Sequence, residues 1–316
     1  MWQATVRVER SVAVMAPPDA AWSLLSSPQA WSAQPRGCLT FDLADPSGPT
    51  EGPGRLRFYL AGDTRPYAAI LEVTAETPGQ QLCLQTSGGL ATWTLSVEPG
   101  RRGTNLRIAA TWTVGRPARI DAEAELHREL KDWLATLRDI ADGHQPRPAD
   151  GMPEALRQAC LASPPPGPAA EARASVEIGV PLEAVRNLLG SSELVLAIQP
   201  AGIAYVGQVP GTPAAGEVGG MRFYVQRRAD GLFTGRVSLL AALSPGGRVI
   251  RFVTAPYYEM TFRYEPAGVS TRLELTQRLP GRTAETDAQH QLHTESVMAA
   301  AQRYKDAIER LAKAGD

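Results

Sequence analysis

The chain has 316 residues, 43% hydrophobic and 21% charged, with a formal net charge of −1, which fits two ordinary globular domains. Near-neutrality removes the electrostatic pull toward nucleic acid or an anionic membrane, and no apolar run approaches the about 18 residues of a spanning helix. Cys38, Cys83 and Cys160 share no tight spacing, which argues against a disulfide framework or a zinc site and for a reducing, cytoplasmic compartment, as does an N-terminus without a signal-peptide core.

Residues 4–14 alternate apolar and polar, the pattern of a strand. Pro17-Pro18-Asp19 opens a helix through Leu25, and Ser27-Pro28 opens a second short one through Trp31. Strand-like runs follow at 39–44, 55–61, 67–76, 81–87, 91–98 and 104–114, each bounded by Gly, Pro, Asp or Asn. Residues 120–141 change period: Leu126, Leu130, Trp133, Leu137 and Ile140 recur at helical steps. Residues 143–170 carry Gln145-Pro146-Arg147-Pro148 and Pro164-Pro165-Pro166-Gly167-Pro168, a stiff linker interrupted by a short helix at 152–162.

The pattern then restarts. A strand is expected over 172–180, a helix from Pro181 through Leu189, and a short helix from Ser191. Strands are expected near 203–209, 219–227, 231–243, 248–254, 257–266 and 268–279, and a closing helix over 284–312. The two halves share landmarks. Arg57-Phe58-Tyr59 precedes Pro78-Gly79 by 21 residues, and Arg222-Phe223-Tyr224 precedes Pro245-Gly246 by 23. Glu98-Pro99 and Glu265-Pro266 each follow 20 residues after the earlier proline. An offset of 165 residues is too long for a solenoid unit, whose period is about 20–50. It marks a duplicated domain: 1–143, a linker over 144–170, and 171–316. Short turns between consecutive strands make each sheet an antiparallel meander, and the long final helix of each half supplies its apolar cover.

This order resembles the START/Bet v 1-like (SRPBCC) helix-grip superfamily, whose members are often called polyketide cyclase-like. The residues that carry the likeness are strand 4–14 with Pro18-Asp19-Ala20-Ala21-Trp22, the Ser27-Pro28-x-x-Trp31 helix, Glu72-Val73 with Thr77-Pro78-Gly79, and helix 120–141; in the second half they are 174–189, Leu239 to Pro245, and 284–312. The resemblance spans nearly the whole chain outside the linker. It implies an α+β fold of two tandem domains, each a curved antiparallel sheet of about seven strands wrapped around its last helix over an apolar cavity. Two such domains resemble the didomain aromatase/cyclases of bacterial polyketide synthesis. That likeness implies a cofactor-independent aldol cyclisation and dehydration of a hydrophobic poly-β-keto or aromatic intermediate, with an acyl carrier protein as the partner presenting it. A non-catalytic carrier of a lipid, isoprenoid or aromatic metabolite fits the same interior.

Period two tells which side chains face the helix, whether they line a cavity or fill a core. Trp93, Leu95 and Val97 share a face, as do Leu106, Ile108, Ala110 and Trp112; so do Leu56, Phe58 and Leu60. In the second half Tyr258, Met260, Phe262 and Tyr264 align, as do Thr271, Leu273, Leu275 and Gln277, and Met221, Phe223 and Val225. Trp93, Trp112, Phe262, Tyr264 and Gln277 are therefore candidate substrate contacts; Arg222 and Tyr224 join them because they repeat Arg57 and Tyr59, Tyr67 because it starts a strand where a pocket mouth would be, and Trp31, with Arg36, because the resemblance implies that their small helices rim the pocket. Candidate catalytic residues are His290, Tyr258, His293, Arg57 and Tyr59. His290 and His293 lie seven and four residues before Val297, on the stripe of the closing helix, where an imidazole would exchange protons near neutral pH; a boundary or capping role is the alternative, and it applies to His127 as well. Arg57 and Tyr59 could polarise a carbonyl, although plain alternation sets them opposite Leu56 and Phe58, away from the cavity, unless a bulge reverses them. No third ligand accompanies His290 and His293, so no metal site is expected, and no cofactor motif is present.

Overall fold

Alternation in the strands and glycine or proline in the turns produce two sheets of identical order. A computed structural model describes residues 3–315 except 35–36, 44–51, 63–65, 116–118, 150, 163–167, 200–202, 215, 228–231, 255–256 and 281–285. The first half runs β1 (Gln3–Val14), α1 (Pro18–Leu25), α2 (Pro28–Ser32), β2 (Cys38–Asp42), β3 (Leu56–Ala61), β4 (Tyr67–Thr77), β5 (Gln81–Thr86), β6 (Ala91–Gly100), β7 (Gly103–Gly115) and α3 (Arg119–Ala141). Then come α4 (Glu154–Leu161), β8 (Ala169–Ile178), α5 (Leu182–Gly190), α6 (Ser192–Ala197), β9 (Ile203–Gln208), β10 (Met221–Arg227), β11 (Phe233–Ser244), β12 (Gly247–Phe252), β13 (Tyr258–Ala267), β14 (Ser270–Pro280) and α7 (Asp287–Gly315). The first sheet is ordered β1-β7-β6-β5-β4-β3-β2 and the second β8-β14-β13-β12-β11-β10-β9. Every pair of neighbouring strands in the first sheet is antiparallel. Two compact units result, residues 1–159 with 227–235, and 160–226 with 236–316. Arg36, the start of the expected closing helix at 284 and the second proline run of the linker at 164–167 lie outside the described residues.

The turns explain why the meander closes where it does. Thr77-Pro78-Gly79-Gln80 places proline at the second position and Gly79 at φ 77°, with Gln80 N donating to Thr77 O at 3.0 Å; this is the residue choice of a type II turn. Gly103 opens β7 at φ 147°, and a Cβ there would meet Val14 O at 2.2 Å, so only glycine lets the hairpin pass the end of β1.

Each sheet curls over its closing helix. Leu126, Leu130, Trp133, Leu134 and Leu137 of α3 pack on Val6, Val8, Leu95, Leu106 and Ile108. In the second unit Val297, Ala301, Ala307 and Ile308 of α7 pack on Phe262, Tyr264, Leu273 and Leu275. The same polar ties recur in both copies. Met15 N donates to Asp142 Oδ1 at 2.6 Å, and Gly179 N to Glu309 Oε1 at 2.8 Å, so a carboxylate at the end of each closing helix caps the end of the first strand. Thr104 Oγ1 donates to Ala16 O at 2.7 Å and Thr271 Oγ1 to Val180 O at 2.8 Å, both buried.

These threonines generate a paired test. Thr104→Val and Thr271→Val each leave a buried carbonyl without its donor, at a cost of about 1–3 kcal/mol to the unit concerned. All six tryptophans precede residue 134. Urea unfolding followed by tryptophan emission is therefore expected to shift to lower midpoint for Thr104→Val, and hydrogen exchange of β14 to quicken for Thr271→Val. Wild-type behaviour in both variants would refute the shared role.

Candidate functional site in the first domain

A cavity arises in the first sheet because large side chains face alanines across the ladder. On the inner face Tyr59 pairs with Ala69, Trp93 with Ala110 and Trp112 with Ala91. A sheet lined by rings alone would close on the helix; a ring beside a methyl group leaves space. The result is a cavity of about 230 Å³ between the sheet and α3. Its walls are Trp31 and Gln34 from the α2 region, Tyr59, Tyr67, Ala69 and Leu71 from β3 and β4, Thr86, Ala91, Trp93 and Trp112 from β5 to β7, and Leu126, Glu129, Leu130 and Trp133 from α3.

The tryptophans are fixed by each other. Trp31 is fully buried and meets Trp93 at 5.2 Å between centroids, Trp133 at 5.1 Å and Tyr59 at 6.1 Å, all edge-on, the favoured arrangement for such rings. Trp133 Nε1 donates to Ala30 O at 2.5 Å, tying α3 to α2. Trp31 Nε1 and Trp112 Nε1 are buried with no acceptor.

Tyr59 is the polar centre of the wall. Its hydroxyl donates to Gln34 Oε1 at 3.0 Å and lies 3.4 Å from the hydroxyl of Tyr67, which is 46% exposed at the mouth. Burial, reinforced by Cys38, Tyr67 and Glu129, holds the Tyr59 phenol well above its ordinary acidity range, so it stays protonated at neutral pH and acts as a donor. The Cys38 thiol below it is pushed up to about 12 by burial and bonds Thr40 Oγ1 at 3.0 Å; it is no nucleophile at neutral pH.

The structure brings five of the expected residues, Trp31, Tyr59, Tyr67, Trp93 and Trp112, to one cavity. Tyr59 reaches it because the inner face of β3 is Arg57-Tyr59-Ala61, in register with Leu71, Ala69 and Tyr67. The expectation that Leu56, Phe58 and Leu60 face the helix is therefore reversed. Alternation misled because β3 is buried on both faces: Phe58 and Leu60 are fully buried, with Phe58 stacked on Phe41 at 5.0 Å. Arg57 does not line the cavity. It is fully buried, with Nε donating to Asp42 Oδ1 at 2.7 Å and Nη2 to Ser26 O at 2.9 Å; it acts as a structural tie. Gln34, Glu129 and Trp133 were not singled out as contacts. For Glu129 a signal existed: it stands on the stripe Leu126-Glu129-Leu130-Trp133, an acid among apolar residues.

In the second domain the inner face of β10 is likewise Arg222 and Tyr224, and not Met221, Phe223 and Val225 as alternation suggested; the cause is the same, since Met221 and Phe223 are buried too. Tyr224 lies with its hydroxyl 3.3 Å from Ser238 Oγ. Tyr258 stacks on Phe252 at 4.2 Å, and its acidity is lowered by burial, with its pKa raised despite the nearby Arg236. Phe262 is fully buried against Tyr304 at 5.0 Å, Tyr264 donates to Ser244 O at 3.4 Å, and Gln277 faces Met260 across the ladder. His293 is buried on α7, but His290 is exposed. Its angular position on the stripe is as expected; its axial position is not, because residues 286–292 are all exposed and burial begins at His293. His127 is half-buried and outside the cavity wall. A groove of about 620 Å³ along β11–β14 is lined by Arg263, Glu265, Arg272 and Glu274, which pair with one another, and by Arg248, Phe262 and Tyr264. Among the described residues no three His, Cys, Asp or Glu side chains are grouped to hold a metal, and no helix is long and apolar enough to cross a membrane.

Among curated proteins no match is found. Solved structures that align include the di-domain aromatase/cyclase StfQ of the steffimycin pathway, at 12% identity over 99% of this chain and 100% of that one, with a TM-score of 0.34. The di-domain aromatase/cyclase BexL of the BE-7585A pathway aligns at 14% identity over 98% and 99%, with a TM-score of 0.34. Protein Ms6760 from Mycobacterium smegmatis aligns at 14% identity over 46% of this chain and 93% of its own, with a TM-score of 0.35. Residues 5–141 match the family described as polyketide cyclase / dehydrase and lipid transport. That match runs from β1 to the end of α3, so the similarity to the polyketide cyclase, dehydrase and lipid-transport family spans the first sheet and its closing helix.

Proposed function

We propose that the first-domain cavity binds a hydrophobic poly-β-keto or aromatic intermediate and promotes its aldol cyclisation and dehydration. The observation that carries this reading is Tyr59: a hydroxyl kept neutral by burial, set in a wall of four tryptophans and backed by Gln34 and Tyr67. A ligand carbonyl entering the cavity takes the place of Gln34 as acceptor. When an enol carbon attacks that carbonyl carbon, the new carbon–carbon bond forms and the electron pair moves to the oxygen. Tyr59 stabilises and protonates that oxygen, and Tyr67 connects it to the mouth. Glu129, in the cavity wall, takes the proton from the attacking carbon; after Glu129 and Tyr59 exchange protons with water at the mouth, Glu129 takes the proton from the carbon beside the new hydroxyl while Tyr59 protonates that hydroxyl, which leaves as water. The flat indole walls hold the chain folded, which supplies much of the rate by proximity.

A chain this reactive would be delivered tethered, so an acyl carrier protein is the partner this reading calls for, and the cytoplasm its compartment. A carrier role is the second reading. It is favoured by the mainly apolar lining and by the lipid-transport part of the family description.

Four of the six tryptophans line the cavity, so their emission reads its occupancy. With the full chain and a synthetic poly-β-ketone thioester, the expected result is faster formation of one cyclised product than in buffer. Tyr59→Phe should lower that rate by about 100-fold or more, while quenching by an unreactive anthraquinone changes less than about threefold. Wild-type turnover in Tyr59→Phe would overturn the catalytic role. Quenching without acceleration by the wild type would establish the carrier instead.

A further inference from the structure

The duplicated frame allows one position to be compared with its copy. In the first domain Arg57 of β3 faces Asp42 of β2 across the ladder and forms a salt bridge with it. In the second domain Arg222 of β10 faces Gln208 of β9. The other tie is kept: Arg57 Nη2 donates to Ser26 O just after α1, and Arg222 Nη2 donates to Gly190 O at the end of α5, at 3.0 Å. The carboxylate alone has been lost. Gln208 cannot substitute for it, because its Nε2 is turned to Thr212 O and Pro213 O at 2.9 and 2.7 Å.

Arg222 is not the only cation inside. Arg222, Arg236 and Arg248 are 7%, 8% and 7% exposed. Their partners are neutral: Gly190 O for Arg222, Gln226 Oε1 at 3.5 Å for Arg236, and Leu189 O for Arg248. Arg236 also lies over the rings of Phe252 and Tyr258, at 5.0 and 5.4 Å. The Nε of all three is buried without an acceptor. The tyrosines between them do not compensate the charge, since Tyr258 and Tyr304 are pushed away from ionisation by burial. Burial draws the Arg248 guanidinium below its usual range against the pull of Tyr264, and the neighbouring Arg222 adds to that lowering. Buried charges in proteins are normally paired. Arg222 and Arg248, which reach the neighbouring carbonyls Gly190 O and Leu189 O with no carboxylate bonded to them among the described residues, form a site awaiting an anion, and the planar fork of arginine suits a carboxylate. The surrounding rings of Phe252, Tyr258, Phe262 and Tyr304 select an aromatic body. Arg248, Phe262 and Tyr264 also border the groove over Gly246 and Gly247.

We propose that the second domain is a receptor for an aromatic carboxylate, with Arg222 and Arg248 holding the acid group and the rings around them, including Phe252 and Tyr258 under Arg236, holding the aromatic plane. This site is separate from the first-domain cavity and does not depend on the function assigned to it.

The test uses the full chain with 1-hydroxy-2-naphthoate and its carboxamide as probes, read by calorimetry and by tryptophan emission. All six tryptophans precede residue 134, so heat without quenching marks binding in the second domain. The naphthoate should bind there, and the carboxamide about 10- to 100-fold more weakly. Arg222→Gln should weaken naphthoate by a similar factor. Gln208→Asp restores the first domain's ion pair without removing an arginine, and it should also weaken naphthoate about 10-fold or more while leaving quenching by anthraquinone unchanged. Gln208→Asp guards against a folding defect in Arg222→Gln, because it adds a pair the frame already accommodates in the other copy. Equal binding of acid and amide, no second-domain heat at millimolar naphthoate, or unaltered binding in Gln208→Asp would each overturn the proposal.

Discussion

A buried guanidinium bonded to the carbonyl at the end of a short helix sets the geometry from which both interiors follow. Arg57 reaches Ser26 O from β3, and Arg222 reaches Gly190 O from β10. Each bond pins the rim helices over the outer strands of the sheet, and so decides where the wall opposite the closing helix stands. In the first domain that wall carries Trp31, whose three edge-on ring contacts align Trp93, Trp133 and Tyr59 around one space. A charged donor is suited to this tie because a charge-assisted hydrogen bond is about twice as strong as a neutral one. The cost is a buried cation that must be answered, and the two copies answer it differently.

The frame has been copied more faithfully than its contents. The carboxylate that caps the first strand, Asp142 or Glu309, and the threonine that bonds the chain after that strand, Thr104 or Thr271, occupy matching places. What fills the sheets has diverged. In the first, aromatic side chains face alanines and leave a cavity. In the second, Phe252 faces Tyr258, Ile250 faces Met260 and Arg248 faces Phe262, large against large. The same backbone therefore presents a tryptophan-walled hollow with a phenol donor and one carboxyl group, Glu129, in one copy and a cation-rich aromatic interior in the other.

Much of this was legible in the sequence, because strand alternation, turn residues and the helical stripe act locally. The duplication, the element order and the shared faces of Trp93 and Trp112 followed from such signals, while Trp31 and Tyr67 were expected from the rim and mouth of the fold that the chain resembles. The inner faces of β3 and β10 did not. Alternation tells which residues share a face, and it names the core face only when the other is wet; Phe58 and Met221 are as buried as the residues opposite them. His290 failed for a different reason: helical period gives an angle around the axis and says nothing about how far along it the cover begins. The alanines that make room for the cavity, Ala69, Ala91 and Ala110, carry no sequence signal at all, since their meaning lies in what stands across the ladder. The pairing of Arg57 with Asp42 was invisible for the same reason, and so was its loss at Gln208.

That loss also separates the two interiors by ligand chemistry. A guanidinium without a counter-charge in a low-dielectric interior disfavours folding until an anion arrives, whereas an orphaned indole N–H such as that of Trp31 or Trp112 costs only the desolvation of a neutral donor. A neutral carbonyl satisfies the second kind of site and does little for the first. An acid satisfies the first, and in the tryptophan-walled cavity of the other copy it would shed its hydration among neutral donors alone, with Glu129 in the wall to repel it. A ligand that carries a carboxylate is thus steered to the second domain, and one that carries only ketones to the first. Binding of the acid would also stabilise the second domain, by an amount that grows with the logarithm of its concentration over its dissociation constant, so the electrostatic cost of the empty interior is offset when it is filled.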